Sequence, residues 1–182
     1  QSHPDEYWWD ACAGAGGKSL LLKEENSDIK LFATDIRDNI LKIYYDRMKK
    51  TGYKVPQIEV ADLSLPDYIL PGKQFDGIVV DVPCSGSGTW ARSPEWLQKN
   101  IKSRLIEHFI PLQRSIVSTV LPSLKVDFPL IYITCSVFKE ENEENIRYFL
   151  DHLPLRLEKT AYLEGYGSDS DTLFIARLTK LF

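Results

Sequence analysis

A chain of 182 residues, 43% of them hydrophobic and 12% aromatic, suits one domain with a sizeable core and excludes a disordered or low-complexity protein. Its 22 basic and 26 acidic side chains leave a net charge of -4, which gives no sign of a nucleic-acid partner. No apolar run reaches the roughly 18–20 residues of a membrane span, no signal peptide is visible, and three cysteines without CxxC spacing argue against a disulfide framework or metal site and for a reducing cytoplasm.

Short apolar runs alternate with longer amphipathic ones, the pattern of a parallel sheet covered by helices. Strands are predicted at Tyr7–Ala11, Leu31–Thr34, Gln57–Ala61, Phe75–Val80 and Leu130–Thr134. Helices are predicted at Gly17–Lys23 and Arg37–Thr51, the second carrying Ile40, Leu41, Tyr44, Tyr45 and Met48 at helical spacing. Ser103–Lys125 is helical in pattern, with a break or kink expected from Pro111 and Pro122. A helix over Glu140–His152 would place Glu140, Glu141, Glu143 and Glu144 in its first turn, where the macrodipole favours carboxylates. Strands at Arg156–Lys159 and Thr172–Leu178, joined by a turn at Gly165–Asp171 without a crossover helix, should form an antiparallel edge hairpin. The expected fold is α/β: a doubly wound, Rossmann-like, seven-stranded and mostly parallel sheet.

The first strand leads into Asp10-Ala-Cys12-Ala13-Gly14-Ala15-Gly16-Gly17-Lys18-Ser19. Glycine there permits a tight turn and lets a ligand touch the backbone, while a helix N-terminus offers free N–H groups. A phosphate loop requires glycine where Cys12 stands, and the dinucleotide GxGxxG starting at Gly14 meets Ser19 instead of its third glycine. Acidic-xxx-Gly-x-Gly does fit, and it opens an S-adenosylmethionine (AdoMet) pocket. Asp35 follows the second strand, 19 residues after Gly16, near the roughly 20 expected for the acid that holds a ribose. Asp62 follows the third strand and is placed to reach an adenine.

Ligands of open α/β sheets lie beyond the carboxyl ends of the strands. Those ends carry Asp81-Val82-Pro83-Cys84 and Thr134-Cys135-Ser136, so all three cysteines should surround one mouth. A lone cysteine is more often a small buried hydrophobe. Two at adjacent strand ends beside a methyl-donor pocket suggest nucleophilic chemistry instead. Carbon-5 of a pyrimidine becomes nucleophilic once a thiolate adds at carbon-6, and a base must later remove the carbon-5 proton. The Asn/Asp-Pro-Pro-aromatic sequence of amine methyltransferases is replaced here by Pro83-Cys84.

These motifs resemble those of the Sun/Nop (Fmu-like) family of RNA cytosine-C5 methyltransferases. DACAGAGGKS is similar to D-x-C-A-x-P-G-G-K-T, DVPCSGSGTWARSPE to D-A-P-C-S-G-x-G-x-x-R-R-x-P-D/E, and YITCSVFKEENE to Y-x-T-C-S-x-x-x-x-E-N-E, in family order from Trp9 to Arg177. The resemblance implies a class I AdoMet-dependent methyltransferase fold in which Cys135 attacks cytosine carbon-6 and Cys84 helps resolve the adduct. Asp81 would contact the base or the cofactor and take part in proton handling. Cys12, Ala13, Gly14, Ala15, Gly16, Gly17 and Lys18 would hold the methionine part of AdoMet, with Asp35 at the ribose and Asp62 at the adenine. Lys18, Pro83 and Arg92 would face the substrate.

The resemblance also implies an RNA partner, ribosomal RNA first and transfer RNA second, for a monomer without metal or membrane contact. Residues 1–182 would form the catalytic domain, with the family's N-terminal RNA-binding region absent from a chain that opens on Gln1 like a fragment. The chain departs from the pattern at Ala15, in place of a proline, and at Asp127-Phe128-Pro129, in place of a glycine pair. It departs again at Ile40, in place of an arginine that Arg37 could replace. A non-catalytic AdoMet- or RNA-binding domain and a phosphate-loop nucleotidase are the alternatives.

The helix after Cys135 should acidify its thiol while the four glutamates oppose this, so thiolate formation is expected to draw on bound RNA, Lys18 or the amides near Ser136. Trp90, Arg92, Trp96, Lys99, Lys102 and Arg104 interleave rings with cations, either as an RNA-contacting loop or as solvated surface. Lys42, Arg47, Lys49, Lys50 and Lys54 read as a solvated helix face, Trp8 and Trp9 as core, and His152 as a helix-dipole partner.

Overall fold

The computed structural model describes residues 5–65, 68, 72–92, 102–165 and 170–182, and the side chains of 102–104 lie outside this description. In chain order the elements are β1 (Tyr7–Asp10), α1 (Gly17–Glu25), β2 (Lys30–Asp35), α2 (Asp38–Lys50), β3 (Gln57–Val60) and β4 (Gly77–Asp81). They continue with α3 (Lys102–Val120), β5 (Pro129–Thr134), α4 (Glu143–His152), β6 (Leu155–Leu163) and β7 (Leu173–Lys180). Short 3-10 turns span Ser87–Thr89 and Leu121–Ser123.

The seven strands form one sheet in the order β3-β2-β1-β4-β5-β7-β6. The first five are parallel, and β7 runs antiparallel to both β5 and β6. This is the expected doubly wound sheet with its antiparallel edge hairpin. Winding reverses between β1 and β4, so the crevice beyond their carboxyl ends is the place where such a fold binds ligands.

Successive residues of a strand face opposite sides, and the two tryptophans of β1 accordingly anchor two cores. Trp9 is fully buried with Phe32, Val80 and Tyr132 under α3 (Ile116, Val117, Val120) and α4 (Ile146, Phe149). Trp8 packs with Leu31, Val79 and Ile133 beneath Leu22 of α1. Along α2, Leu41, Tyr44 and Met48 turn inward, whereas Tyr45 is exposed. The basic residues Lys42, Arg47, Lys49 and Lys50 line the outer side of that helix.

Several boundaries move for physical reasons. Phe75 precedes β4 and bridges to Leu124 instead of joining the sheet, and β4 begins at Gly77. A Cβ at Gly77 would lie 2.5 Å from the Trp8 ring. Helix α3 runs through Pro111, which is exposed, and ends at Val120, where Pro122 enters a 3-10 turn. Helix α4 begins at Glu143, not Glu140, so only Glu143 and Glu144 occupy its first turn. The two residues before it are fully buried and spend their side chains on hydrogen bonds: Thr134 Oγ1 donates to Asn142 Oδ1 over 2.6 Å, and Asn142 Nδ2 to the Ser136 carbonyl over 2.9 Å. Among the described residues no helix is long and apolar enough to cross a membrane.

Candidate active site

A cavity of about 570 Å³ opens at the carboxyl ends of β1, β2, β4 and β5, within the range of small-molecule sites. It is lined by Cys12, Ala13, Gly14, Ala15, Gly17, Lys18, Asp35, Asp62, Asp81, Pro83, Cys84 and Cys135, all candidates from the sequence. Arg37, Ser64 and the apolar Leu63, Leu112 and Ile116 are also part of the wall. Gly16 and Arg92 are the two candidates outside it.

The glycine turn owes its shape to two left-handed residues, Gly14 (φ 53°) and Gly16 (φ 86°). Gly16 precedes α1, and a Cβ there would come within 2.7 Å of the Tyr44 ring. Glycine is therefore required by both backbone and packing. Beneath the turn, Tyr44 donates to Ser19 Oγ (2.9 Å) and Ser19 donates to Asp10 Oδ2 (2.7 Å). Asp10 is fully buried, its Oδ1 has no partner among the described residues, and burial pushes its pKa up to about 6.

Asp35 ends β2 with every acceptor direction used. Gly14 N donates to Oδ2 (2.9 Å), while Arg37 supplies its amide (3.0 Å) and Nε (2.9 Å) to Oδ1 and Nη2 to Oδ2 (3.1 Å). Burial raises the carboxyl's pKa, but these hydrogen bonds outweigh it and hold Asp35 below the usual carboxylate range. Asp62 accepts from Ser64 N (3.0 Å) and Ser64 Oγ (2.6 Å) through one oxygen, Oδ1. The Lys18 ammonium donates to Asp81 Oδ2 over 2.7 Å, so it is committed across the cavity to β4.

Cys84 and Cys135 bring their sulfurs to 3.2 Å without a disulfide. The hydrogen bond between them divides the pair: it raises the Cys84 thiol, as burial does, and lowers Cys135. Burial and the Asp81 and Asp171 carboxylates oppose the acidity of Cys135. The contact thus favours a thiolate at Cys135 over one at Cys84. The third cysteine differs, because burial and the nearby carboxylates push Cys12 far above an ordinary thiol. The acidifying agent is thus the neighbouring thiol. The Cys135 backbone N–H acts in the same direction, whereas α4 starts eight residues further on and Lys18 is held by Asp81.

Arg92 pairs with Asp171 through two hydrogen bonds, Nε to Oδ1 at 2.9 Å and Nη2 to Oδ2. This holds the loop after Cys84 against the start of β7. Trp90 packs edge-on against Phe138, with centroids 5.7 Å apart. Trp96 and Lys99, with the side chains of Lys102 and Arg104, lie outside the described residues, as does His3. His152 ends α4, stacked on Tyr148 at 4.1 Å, with Nδ1 2.9 Å from its carbonyl.

Sequence reasoning missed the buried polar layer under the cysteines. Glu141 is fully buried and accepts hydrogen bonds from Ser85, Ser136 and Gln113. Its signal was the E-N-E motif itself, read as charge in a helical first turn.

A family model described as 16S rRNA methyltransferase RsmB/F matches residues 1–178. The chain belongs to the RsmB/F family. It is 35% identical to ribosomal RNA small subunit methyltransferase B of Salmonella paratyphi A over 186 aligned positions, covering 96% of this chain and 42% of that protein. The chain thus spans about two fifths of the length of the curated relatives it matches. The solved structure of NSun6 from Pyrococcus horikoshii with SFG superposes with a TM-score of 0.84 at 26% identity, covering 98% of this chain and 48% of that one. The crystal structure of PH0851 gives 0.85 at 31% identity, covering 97% and 43%. The fold is that of class I AdoMet-dependent methyltransferases.

Proposed function

We propose that this RsmB/F-family chain is the catalytic domain of an AdoMet-dependent RNA methyltransferase acting on carbon-5 of cytosine. The reading rests above all on the 3.2 Å separation of Cys84 and Cys135 at the strand ends that border the cavity. Ribosomal RNA is the substrate favoured by the relatives' descriptions, with transfer RNA as the second choice. Regions that the relatives carry outside the matched span would assist in holding it.

The residues present fit AdoMet. Asp35 stands at the place of a ribose and would accept its hydroxyls once the exposed Arg37 side chain gives up its two contacts. Leu63, Leu112 and Ile116 offer an apolar slot, and Asp62 keeps Oδ2 for a polar edge. Asp10 keeps an orphaned oxygen beneath the turn. The Pyrococcus NSun6 structure was obtained with SFG, an AdoMet analogue. When bound, AdoMet supplies an electrophilic methyl group on a sulfonium.

Cys135, as thiolate, forms a bond to carbon-6, and the electron pair of the 5,6 double bond makes carbon-5 the nucleophile. Asp81, with Lys18 held against it, lines the space that the ring would enter. After methylation a base takes the carbon-5 proton, the double bond re-forms, and the bond to Cys135 breaks to return the thiolate. Cys84 receives the returning thiolate as a hydrogen-bond donor, a role that its place beside Cys135 and a raised thiol that keeps its own proton both suit.

Two substitutions assayed with RNA and AdoMet test the reading. Cys135→Ala should abolish 5-methylcytosine formation and any covalent complex, whereas Cys84→Ala should accumulate a protein–RNA adduct. An adduct formed by Cys135→Ala would reverse the roles. Unchanged methylation by Cys135→Ala would end the covalent mechanism.

A further inference from the structure

We infer that Glu141 is a positioning residue that ties the two cysteine loops together and thereby sets the contact between Cys84 and Cys135. The inference rests on the proposed roles of those cysteines, but the geometry that carries it stands apart from them.

Each cysteine is followed by a serine, and both serines close on one carboxyl group. Ser85 donates its backbone N–H to Oε1 (2.9 Å) and its hydroxyl to Oε2 (2.5 Å). Ser136 donates its hydroxyl to Oε2 (2.5 Å), and Gln113 Nε2 donates to Oε1 (3.0 Å). Gln113 also donates to the carbonyl of Pro83, so the residue before Cys84 is held as well as the residue after it. The four donors come from the β4 loop, the β5 loop and α3.

Glu141 is fully buried, and no described ion pair reaches it. An acidic group is costly in such a place unless hydrogen bonds satisfy it. Valine or leucine there would fill space. They could not join the loop after β4 to the loop after β5. Two sulfurs on separate loops remain at hydrogen-bond distance only if both loops are clamped to a common point, and the Glu141 carboxyl is that point.

Position and charge make opposite demands on Cys135, which makes the inference testable. The groups facing its thiol are Cys84, which acidifies it, and Asp81 and Asp171, which oppose this while paired with Lys18 and Arg92. Glu141 raises the Cys84 thiol by its charge. If Glu141 acted only as a nearby anion, removing it would ease ionisation of the pair. If it positions the loops, removing it loosens the Cys84 donor and makes Cys135 less acidic.

The experiment is alkylation of the full chain by iodoacetamide across pH 5–9 without RNA, with each cysteine followed by peptide mass spectrometry. Glu141→Gln should slow Cys135 at pH 7 by about tenfold, corresponding to about one unit of thiol pKa. Calorimetric AdoMet binding should stay within about twofold, since Glu141 does not line the cavity. An unchanged or faster Cys135 would overturn the inference, as would a loss of thermal stability with no movement of the pH midpoint. Ser85→Ala and Ser136→Ala remove one leg each and should give smaller shifts in the same direction, a readout that survives if Glu141→Gln does not fold. Because alkylation needs no RNA, its failure is separable from that of the cytosine reading. A shifted profile alongside full methylation by Cys135→Ala would retain the positioning role and discard the mechanism.

Discussion

Lys18, in the first turn of α1, donates its ammonium to Asp81 at the end of β4 across 2.7 Å, joining the glycine turn to the loop that bears Cys84. Both partners are about one-quarter exposed, so the pair is screened only in part. Asp81 opposes ionisation of Cys135, and Lys18 compensates that carboxylate. Lys18→Met should therefore move the pH midpoint for Cys135 alkylation upward, and Asp81→Asn should move it downward. Shifts of the same sign in both variants would show that the pair acts through loop geometry and not through charge.

Gly88 lies between the backbones of Cys135 and Thr172. Its N–H donates to the Cys135 carbonyl (2.9 Å) and its carbonyl accepts from Thr172 N (3.1 Å). A Cβ at this position would lie 2.2 Å from the Thr172 carbonyl oxygen and 3.0 Å from that of Cys135, and backbone cannot swing aside as a side chain can. Gly88→Ala should cost about 1–3 kcal/mol in urea unfolding and reduce Cys135 alkylation. Native stability and reactivity together would refute the close approach.

Asp10 carries a pH signature. Its pKa rises from 3.8 to about 6 on folding because burial disfavours the carboxylate. Between those values the folded chain binds more protons than the unfolded chain, so this group makes stability fall as pH rises from about 4 to about 6 and then level off. The full difference amounts to about 3 kcal/mol. Asp10→Asn removes the effect, and its stability relative to the native chain should improve between pH 4 and pH 6.5 in urea titrations. A constant difference across that window would mean that Asp10 titrates alike in the folded and unfolded chain and is not shifted by burial.

Asp35 and Arg37 should separate in cofactor binding. Asp35→Ala removes charge-assisted acceptors worth about 1.5–3 kcal/mol each, so calorimetric AdoMet affinity should fall at least tenfold. Arg37→Ala leaves the bonds from Gly14 N and from the residue-37 amide to Asp35 intact and releases two side-chain contacts, so affinity should hold or improve. An equal loss in both variants would assign the contact to Arg37 and give it the part of the arginine that Ile40 replaces.

The sheet, its antiparallel hairpin and the cluster of motif residues were legible because they are local or repeat a local rule. Strands such as β5 show as short apolar runs, α2 shows helical spacing, and strand ends place Asp35, Asp81, Cys84 and Cys135 at one edge once the sheet is parallel. What this reading left out was the partner of each side chain. Glu141 read as a helical first-turn charge, since nothing near it in the chain reveals the Ser85 hydroxyl 56 residues away. Lys18 read as substrate-facing, although its partner Asp81 lies 63 residues on, and Arg92 read likewise, although Asp171 lies 79 residues on.

The amino-acid sequence alone determined the methyltransferase family and the candidate residues, because a glycine turn, two acids and two cysteines are residue types at strand ends, and strand ends follow from hydrophobic pattern. Only the tertiary structure decided that the two sulfurs touch and which charges are already paired. Acidity depends on a 3.2 Å contact and on burial, both of which arise when β4 and β5 lie side by side and Glu141 closes their loops. A hydrogen bond falls off within an ångström, and no spacing along a chain specifies distances that fine.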